Sequence, residues 1–213
     1  MNQILITDTH IKQYKKSALF FKSQIIISIV IICVCFSYFI IFAFTQETNY
    51  QIAEKLVDNF NISRLYADIE KPIYEANYTI NENTFSVIAL IEIKKLRINY
   101  PILSDTNKDL LKLSPTKFTG PEPNEIGNLC IAGHNYVDAR FFSELSRLNT
   151  NDLITIIDLK ERSIDYIVYD IYETFPNDLT PLAQNTNGVR EITLITCNNV
   201  NGKRLIIKAC ENM

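Results

Sequence analysis

The chain has 213 residues, of which 47% are hydrophobic, and a formal net charge of -3 at pH 7. This mildly acidic balance lacks the basic excess that is typical of nucleic-acid-binding proteins, so no nucleic-acid partner is expected. The five cysteines are too few for a disulfide scaffold in a chain of this size.

The N-terminal region contains one long apolar run. Residues 25–44 read IIISIVIICVCFSYFIIFAF, twenty positions without a charge. As a helix rising about 1.5 Å per residue, this run spans the roughly 30 Å hydrocarbon core of a bilayer. The apolar part of a secretory signal peptide is shorter, about 7 to 15 residues, and ends at a small-residue cleavage site. We therefore expect an uncleaved, single-pass transmembrane anchor in the cell membrane.

Charged residues around the run predict its orientation. Four lysines precede it, whereas Glu47 and Glu54 come before the next lysine, Lys55. Basic residues favour the cytoplasmic side of a membrane. We expect residues 1–24 to form a cytoplasmic tail and the chain after residue 44 to be extracytoplasmic.

Residues 45–84 are predicted to form a stem or linker. Ile52, Leu56 and Phe60 lie at helical spacing, a weak amphipathic pattern that fits either a stem or a cap packed on the next domain. The polar stretch EKPIYEANYTINENT then predicts a linker ending near Thr84. A folded domain over residues 85–213 follows.

Short apolar or alternating segments, separated by turn residues, recur in this domain. Several, such as SVIALIEI, IDYIVYDIYE and KRLIIKAC, are rich in Ile, Val and Tyr. They favour an all-β dominated fold, an antiparallel-rich sandwich or barrel, over a helical bundle. One helix is predicted in VDARFFSELSRL, which Asp138 can cap. Its apolar face consists of Phe141, Leu145 and Leu148.

Two strand ends carry residues suited to covalent acyl transfer. His134 follows the apolar segment NLCIAG, and Cys197 ends the segment EITLITC. If these strands are parallel neighbours, both side chains lie at one rim of the sheet. A thiol there can attack a carbonyl, and an imidazole can protonate the leaving amine. A buried strand thiol and a surface histidine are the alternative interpretation.

Arg204 can complete such a site. Asn201-Gly202 is a strong hairpin signal, so the next strand folds back and brings Arg204 near Cys197. A guanidinium at that place stabilises the negative charge of a tetrahedral intermediate, since it stays protonated at working pH.

The sequence offers poor metal ligands, and neither a metal nor a cofactor is expected. One of the two histidines, His10, lies on the cytoplasmic side, and no paired Cys or His spacing is present. Glu122 and Glu125 are interpreted as solvated surface carboxylates rather than as calcium ligands. Cys130 is interpreted as a packing thiol and Cys210 as dispensable.

Three features together resemble the sortases, the membrane-anchored cysteine transpeptidases of Gram-positive cell surfaces. They are Gly133-His134 after an apolar strand, the run Thr193-Leu194-Ile195-Thr196-Cys197, and Arg204 at the start of the last strand. The resemblance covers residues 85–213. It implies an eight-stranded sortase β-barrel with one or two short helices, and an active site formed by His134, Cys197 and Arg204.

The resemblance also implies a reaction and its partners. A sortase cleaves a sorting signal similar to Leu-Pro-x-Thr-Gly (LPxTG) after the threonine, forms a thioester through its cysteine, and passes the acyl group to an amine such as that of a cell-wall precursor. Ala132 and Thr196 are expected to line the substrate groove. Pro176, Leu179 and Leu182 are expected to grip the signal, with ordinary loop packing as their alternative.

Departures from the family pattern bear on the subclass. The link from Cys197 to Arg204 is short, and no lid segment of the pilin-polymerising type precedes the first strands. Both features favour a housekeeping or class D-like anchoring role over pilin polymerisation.

Two rival functions differ in their expected chemistry. A papain-like protease also uses Cys and His, but its cysteine precedes its histidine, whereas here His134 precedes Cys197. A non-catalytic membrane-anchored β-barrel ectodomain, an adhesion or sensor module, is the alternative function. Replacement of Cys197 by alanine separates the two, because only the transpeptidase loses its function.

Overall fold

The computed structural model describes residues 2–65, 76–138 and 140–212, and the side chains of residues 20–64, 76–138 and 140–212. The chain forms two compact units, Met1–Thr48 and Asn49–Met213. The first unit is helical, and the second contains all the strands of the described residues.

One long helix, α1, covers Asn2–Leu65. Large apolar side chains in its first part are exposed, among them Phe20, Ile32 and Phe44. By length and composition, this helix is able to cross a membrane. The apolar N-terminal helix expected from the sequence is therefore present.

Nine strands form the sheet of the second unit. They are β1 (Ala76–Ile80), β2 (Asn83–Ile93), β3 (Ile98–Leu103), β4 (Thr116–Thr119), β5 (Gly127–Ala132), β6 (Leu153–Asp158), β7 (Ser163–Thr174), β8 (Arg190–Cys197) and β9 (Arg204–Glu211). Eight of them close a ring in the order β2-β3-β4-β5-β8-β9-β7-β6, because β2 pairs with β6 as well as with β3. This ring is the predicted eight-stranded β-barrel. β1 pairs with the start of β2.

The relative direction of β5 and β8 determines which residues meet at one end of the barrel. Most pairings are antiparallel, but β5 and β8 are parallel, with Ala132 opposite Ile195. The chain therefore leaves both strands at the same end of the barrel. β8 continues into an antiparallel hairpin with β9, which starts at that end.

One apolar core fills the barrel. Alternate residues of the parallel strands contribute to it, including Leu129 and Ile131 of β5 and Ile192 and Leu194 of β8. Successive side chains of a strand point to opposite faces, so this alternation fixes which face of each strand is inside.

A second apolar cluster joins the end of α1 to the barrel. Leu56 and Phe60 are fully buried, and they pack with Phe85 and Val87 of β2. Burial of a side chain of this size contributes about 1.5–3 kcal/mol relative to exposure. The last turns of α1 therefore form a cap on the barrel, one of the two structures that the amphipathic pattern allowed.

Strand pairing begins earlier than the expected domain start at residue 85. β1 and β2 are paired from Ala76↔Val87 to Ile80↔Asn83. The sequence of β1, ANYTI, alternates between the inward side chains of Ala76, Tyr78 and Ile80 and two exposed polar residues. This alternation is short and lies inside a polar stretch, so the sequence resembles a linker. The part of the predicted linker before Ala76, residues 70–75, lies outside the described residues.

The helix predicted in VDARFFSELSRL is wrong. Phe141 has a φ of 53°, in the left-handed region, and the only helical residues of this stretch among those described are a 3-10 turn at Leu145–Arg147. Asp138 accepts hydrogen bonds from Arg140 instead of capping a helix.

The apolar residues of this stretch are nevertheless buried. Phe141, Leu145 and Leu148 are each less than 5% exposed. The backbone N–H of Phe142 donates to the carbonyl of His134 at 3.1 Å. This bond turns the chain back on itself directly after β5, which leaves no room for a regular helix.

Candidate active site

Cys197 and Arg204 face each other at the ends of two strands. Cys197 is the last residue of β8, Arg204 is the first residue of β9, and they are register partners. Arg204 Nη1 donates a hydrogen bond to Cys197 Sγ. The hairpin predicted from Asn201-Gly202 is confirmed, with Gly202 at a φ of 71°. A permanent positive charge therefore lies on the half-buried thiol.

His134 lies at the same rim. The Gly133 N–H donates to the carbonyl of Ile195 at 3.0 Å, which continues the parallel pairing of β5 and β8 beyond the end of β5. His134 directly follows Gly133 in this extension of β5. Cys197 ends β8, two residues after Ile195. The parallel arrangement that the sequence analysis required is therefore present.

Burial and two cations lower the pKa of His134. Partial burial is the main cause, since it disfavours the charged imidazolium, and the positive charges of Lys112 and Arg204 add to it. The ring of Tyr136 packs beside the imidazole at 5.0 Å between centroids. His134 therefore stays neutral at a lower pH than an ordinary histidine.

Two asparagines that the sequence analysis did not identify join the two segments of the site. Asn135 Nδ2 donates to the carbonyl of Cys197 at 2.7 Å, and Asn199 Nδ2 donates to the carbonyl of Asn135 at 2.8 Å. The only sequence signal was their position, one and two residues after His134 and Cys197. These bonds tie the segment that carries the imidazole to the segment that carries the thiol.

Gly133 is needed for close packing. A Cβ atom at this position would lie 2.6 Å from the ring of Phe142. Its carbonyl accepts a hydrogen bond from the hydroxyl of Thr196 at 2.7 Å. The absence of a side chain at this position therefore makes room for the ring of Phe142.

A groove of about 190 Å³ opens beside Arg204. The sequence analysis expected five residues to bind substrate, and all five line the groove: Ala132, Thr196, Pro176, Leu179 and Leu182. Thr196 is a buried part of the wall, since its hydroxyl is bonded within the protein, whereas Leu179 is 70% exposed at the edge. Leu111, Phe118 and Ile206 also line it.

Asn128 holds one wall of the groove in place. Its Nδ2 donates to the carbonyls of Pro181 and Ala183 at 2.9 and 3.1 Å, and its Oδ1 accepts from the hydroxyl of Thr193 at 2.8 Å. The side chain is fully buried, so these bonds satisfy an amide that would otherwise destabilise the fold. The connection between β7 and β8 is thereby attached to the barrel.

The remaining cysteines and acidic residues lie in other surroundings. Cys130 is fully buried, and burial raises its pKa to about 11. Cys210 is paired with Glu191, far along β9 from Arg204.

The two carboxylates considered as calcium ligands are paired with cations. Glu122 binds Lys117 at 2.6 Å, and Glu125 binds Lys160 and Arg162 at 2.9 and 3.0 Å. The hydrogen bond from Lys160 is the main cause that lowers the pKa of Glu125. Within the described ranges, no group of three or more His, Cys, Asp or Glu side chains is placed to hold a metal ion.

Comparison with known families shows which family the chain belongs to. Residues 91–212, more than half of the chain, match the model of the sortase domain. The chain belongs to the sortase family. Sortases are cysteine transpeptidases, so the chain is an enzyme of that class.

Solved structures of other sortases share the barrel. A sortase D5 transpeptidase from Clostridium perfringens is 27% identical with a TM-score of 0.63, and the match covers 77% of this chain and 100% of that one. Sortase C-1 from Actinomyces oris is 26% identical with a TM-score of 0.55, covering 60% and 74%. C. perfringens sortase C, solved with the C-terminal cell wall sorting motif, is 22% identical with a TM-score of 0.54, covering 76% and 89%, and shows the fold alone. A comparison with curated proteins finds no match.

Proposed function

We propose that this sortase uses Cys197 to cleave an LPxTG-like sorting signal and transfers the cleaved protein to an amine of the cell wall. The observation that carries the proposal is the hydrogen bond from Arg204 to the thiol of Cys197, at the rim where His134 also lies. A thiol, an imidazole and a guanidinium are the three groups that acyl transfer needs there.

The first half of the reaction forms a thioester. The sulfur of Cys197 attacks the carbonyl carbon of the threonine in the signal while the neutral His134 takes the proton of the thiol, which gives a tetrahedral intermediate and an imidazolium. When this intermediate collapses, the C–N bond breaks, and His134 as imidazolium gives its proton to the leaving amine. The carboxyl-terminal part of the signal departs with a free amino group, and the protein stays bound to Cys197.

The second half transfers the acyl group. The acceptor amine attacks the thioester carbonyl, the new C–N bond forms, and the C–S bond breaks. His134, now neutral, takes the proton that the amine loses and gives it to the departing sulfur, so the thiol and the neutral imidazole are restored.

Arg204 stabilises charge in both halves. A guanidinium has five N–H donors in a planar fork, so one can bind the sulfur while others reach the oxyanion of the intermediate. Donors placed where negative charge develops are commonly the largest single contribution to catalysis.

The residues that line the groove favour an apolar sorting signal as the substrate. Pro176, Leu179 and Leu182 lie on the β7–β8 connection, and Ala132 and Thr196 lie on the barrel wall. These surfaces suit the leucine and proline of an LPxTG-like peptide. The C. perfringens sortase C solved with its cell wall sorting motif is a precedent for such a ligand on this fold.

The proposed topology puts residues 1–24 in the cytoplasm and residues 25–44 in the membrane. Residues 45–84 connect this anchor to the catalytic domain, residues 85–213, and from Asn49 on they belong to the same compact unit as that domain. Support comes from the exposed apolar side chains of α1, the lysines before them and the glutamates after them. The short link between Cys197 and Arg204 and the similarity to a class D sortase support an anchoring role of the housekeeping or class D type.

The experiment uses the full chain in detergent, a panel of LPxTG-like peptides and an added amine, with mass spectrometry of the products. Wild type and Cys210→Ala are expected to release the carboxyl-terminal fragment and to yield the peptide–amine conjugate, whereas Cys197→Ala yields none. A wild-type protein without product from any peptide supports the alternative, an adhesion or sensor ectodomain.

A further inference from the structure

The loop that joins Cys197 to Arg204 is rich in asparagine. Residues 198–203 read NNVNGK. A hairpin of this length needs turn residues, but it does not need three amide side chains. Each of the three makes a hydrogen bond to a part of the protein outside the loop.

Glu173 of β7 binds the loop on one side. Its Oε1 accepts a hydrogen bond from Asn198 Nδ2, and its Oε2 accepts one from Asn201 Nδ2 at 2.8 Å. One carboxylate therefore bridges the two ends of the loop. These hydrogen bonds lower the pKa of Glu173, so it is ionised at neutral pH.

The two amides bound to Glu173 have a fixed orientation. Asn198 Oδ1 accepts the N–H of Val200 at 2.9 Å, and Asn201 Oδ1 accepts the N–H of Lys203 at 3.0 Å. Because both oxygens are occupied, both NH₂ groups must face Glu173. The carboxylate of Glu173 gives each NH₂ group its own acceptor oxygen. A glutamine offers one acceptor and places its own NH₂ against the second amide.

The other side of the loop is bound to the histidine segment. Asn199 Nδ2 donates to the carbonyl of Asn135, and Asn135 Nδ2 donates back to the carbonyl of Cys197. The loop is thus attached to β7 on one side and to the residue after His134 on the other.

We propose that Glu173 and Asn135 are positioning residues that hold this loop as a clamp on the active site. The clamp consists of Glu173, Asn135 and the asparagines Asn198, Asn199 and Asn201. Cys197 and Arg204 are the last register pair of β8 and β9, and beyond them the backbone N–H of Asn198 donates to the carbonyl of Lys203 at 2.8 Å. These backbone bonds pair the two strands with each other, but they do not attach the loop to β7 or to the histidine segment. By making those two attachments, the clamp keeps the guanidinium on the sulfur and the imidazole segment beside both.

The clamp acts on geometry rather than on substrate binding. Among the described residues, those that line the groove include Arg204, but neither the clamp residues nor His134 and Cys197. Loss of the clamp therefore leaves the lining of the groove in place. The inference rests on the proposed role of Cys197 as nucleophile. It predicts that loss of the clamp lowers kcat and leaves KM for the sorting signal unchanged, because ground-state contacts in the groove are kept.

The test compares Glu173→Ala, Glu173→Gln and Asn135→Ala with wild type, using the full chain in detergent. Asp170→Ala is the matched control, since Asp170 is an exposed acidic residue of the same strand. The measurements are kcat, KM for a cleaved peptide, the thermal unfolding midpoint, and the rate at which iodoacetamide alkylates Cys197 at pH 7, followed by peptide mass spectrometry.

Glu173→Ala and Asn135→Ala are expected to lower kcat at least about tenfold, with KM within about twofold of wild type. The alkylation rate of Cys197 is also expected to differ severalfold from wild type, because the guanidinium that contacts the sulfur is no longer held there. Glu173→Gln is expected to lie between wild type and Glu173→Ala, and Asp170→Ala to match wild type.

Wild-type values of both kcat and alkylation rate in Glu173→Ala and in Asn135→Ala would overturn the clamp. A loss of kcat matched by the same loss in Asp170→Ala would also overturn it. If wild type cleaves no peptide, the proposed function fails, and the alkylation rates still decide whether the clamp holds the arginine on the thiol.

Discussion

Arg204 donates a hydrogen bond to the sulfur of Cys197 across the final register pair of β8 and β9. The two residues are seven positions apart in the chain, and the hairpin between them brings their side chains together. This contact supports the proposed role of Cys197 as nucleophile, because a buried packing cysteine does not need a guanidinium at its sulfur.

Arg204→Lys is expected to lower kcat by about a hundredfold or more. A lysine keeps the charge but offers no planar fork, so it cannot bind the sulfur and the oxyanion together. Steady-state kinetics with a cleaved peptide measures the effect. Arg147→Lys, at an exposed ion pair with Glu144, is the matched control and is expected to be neutral. Equal rates for Arg204→Lys and wild type would contradict the proposed role of Arg204.

Lys112→Gln is expected to raise the pKa of His134. Removal of a nearby positive charge makes the imidazolium less unfavourable, while burial and Arg204 still hold the pKa below its ordinary value. His134 therefore becomes protonated at a higher pH in the variant. A pH titration by NMR measures the shift directly in a His10→Gln background, where His134 is the only histidine.

The matched control for that titration is Lys108→Gln, on the same β3–β4 connection. It is expected to leave the pKa of His134 in place. An unchanged titration curve in Lys112→Gln would show that Lys112 does not act on the imidazole.

Cys130 is expected to resist alkylation in the folded protein. With a pKa raised to about 11, only on the order of one molecule in a thousand carries the thiolate at pH 8, and the side chain is fully buried. Peptide mass spectrometry after brief iodoacetamide treatment should show Cys197 labelled and Cys130 unlabelled. Urea should make Cys130 reactive. Equal labelling of both cysteines in the native protein would contradict this assignment.

Gly133→Ala is expected to destabilise the barrel by about 1–3 kcal/mol and to lower activity. The new methyl group collides with the ring of Phe142, and the shift reaches the adjacent His134. Urea unfolding of the single variants and of Gly133→Ala/Phe142→Leu measures the interaction. The smaller side chain should recover part of the loss. Strictly additive effects would show that the clash is relieved in another way.

Phe60→Ala is expected to lower the free energy of unfolding by about 3–5 kcal/mol. Its ring is fully buried between α1 and the barrel, so the substitution leaves a cavity in the cap. Urea unfolding of a fragment that starts at Gln46 measures the loss. Ile62→Ala is the control on the same helix, because Ile62 is 52% exposed, and its effect should be small. A similar loss in both variants would argue against the cap.

Local patterns were enough to predict the strands that carry the site. Apolar runs before His134 and Cys197, and the Asn201-Gly202 turn before Arg204, each indicate a strand end from a few adjacent residues. That is why the rim of the barrel could be predicted without coordinates. β1 escaped prediction because its alternation covers only five residues within a polar stretch, so nothing local separates it from a linker until it pairs with β2.

Other contacts had no local signal. Glu173 and Asn198 are 25 residues apart, and Asn135 and Cys197 are 62 apart, so only the folded barrel brings them together. The helix predicted around Phe141 failed for a related reason. The apolar spacing of this stretch predicts which side chains are buried, but it does not predict the path of the backbone. The backbone turns back toward His134 and has a positive φ at Phe141.

The most direct test of the account is the detection of the acyl-enzyme. The full chain is mixed with LPxTG-like peptides without an added amine, quenched in acid, and examined by intact-protein and peptide mass spectrometry. The account predicts an adduct with the mass of the acyl part of the peptide on Cys197, absent from Cys197→Ala and retained by Cys210→Ala. An adduct on any other residue, or none with any peptide while Cys197 remains accessible to alkylation, would contradict it.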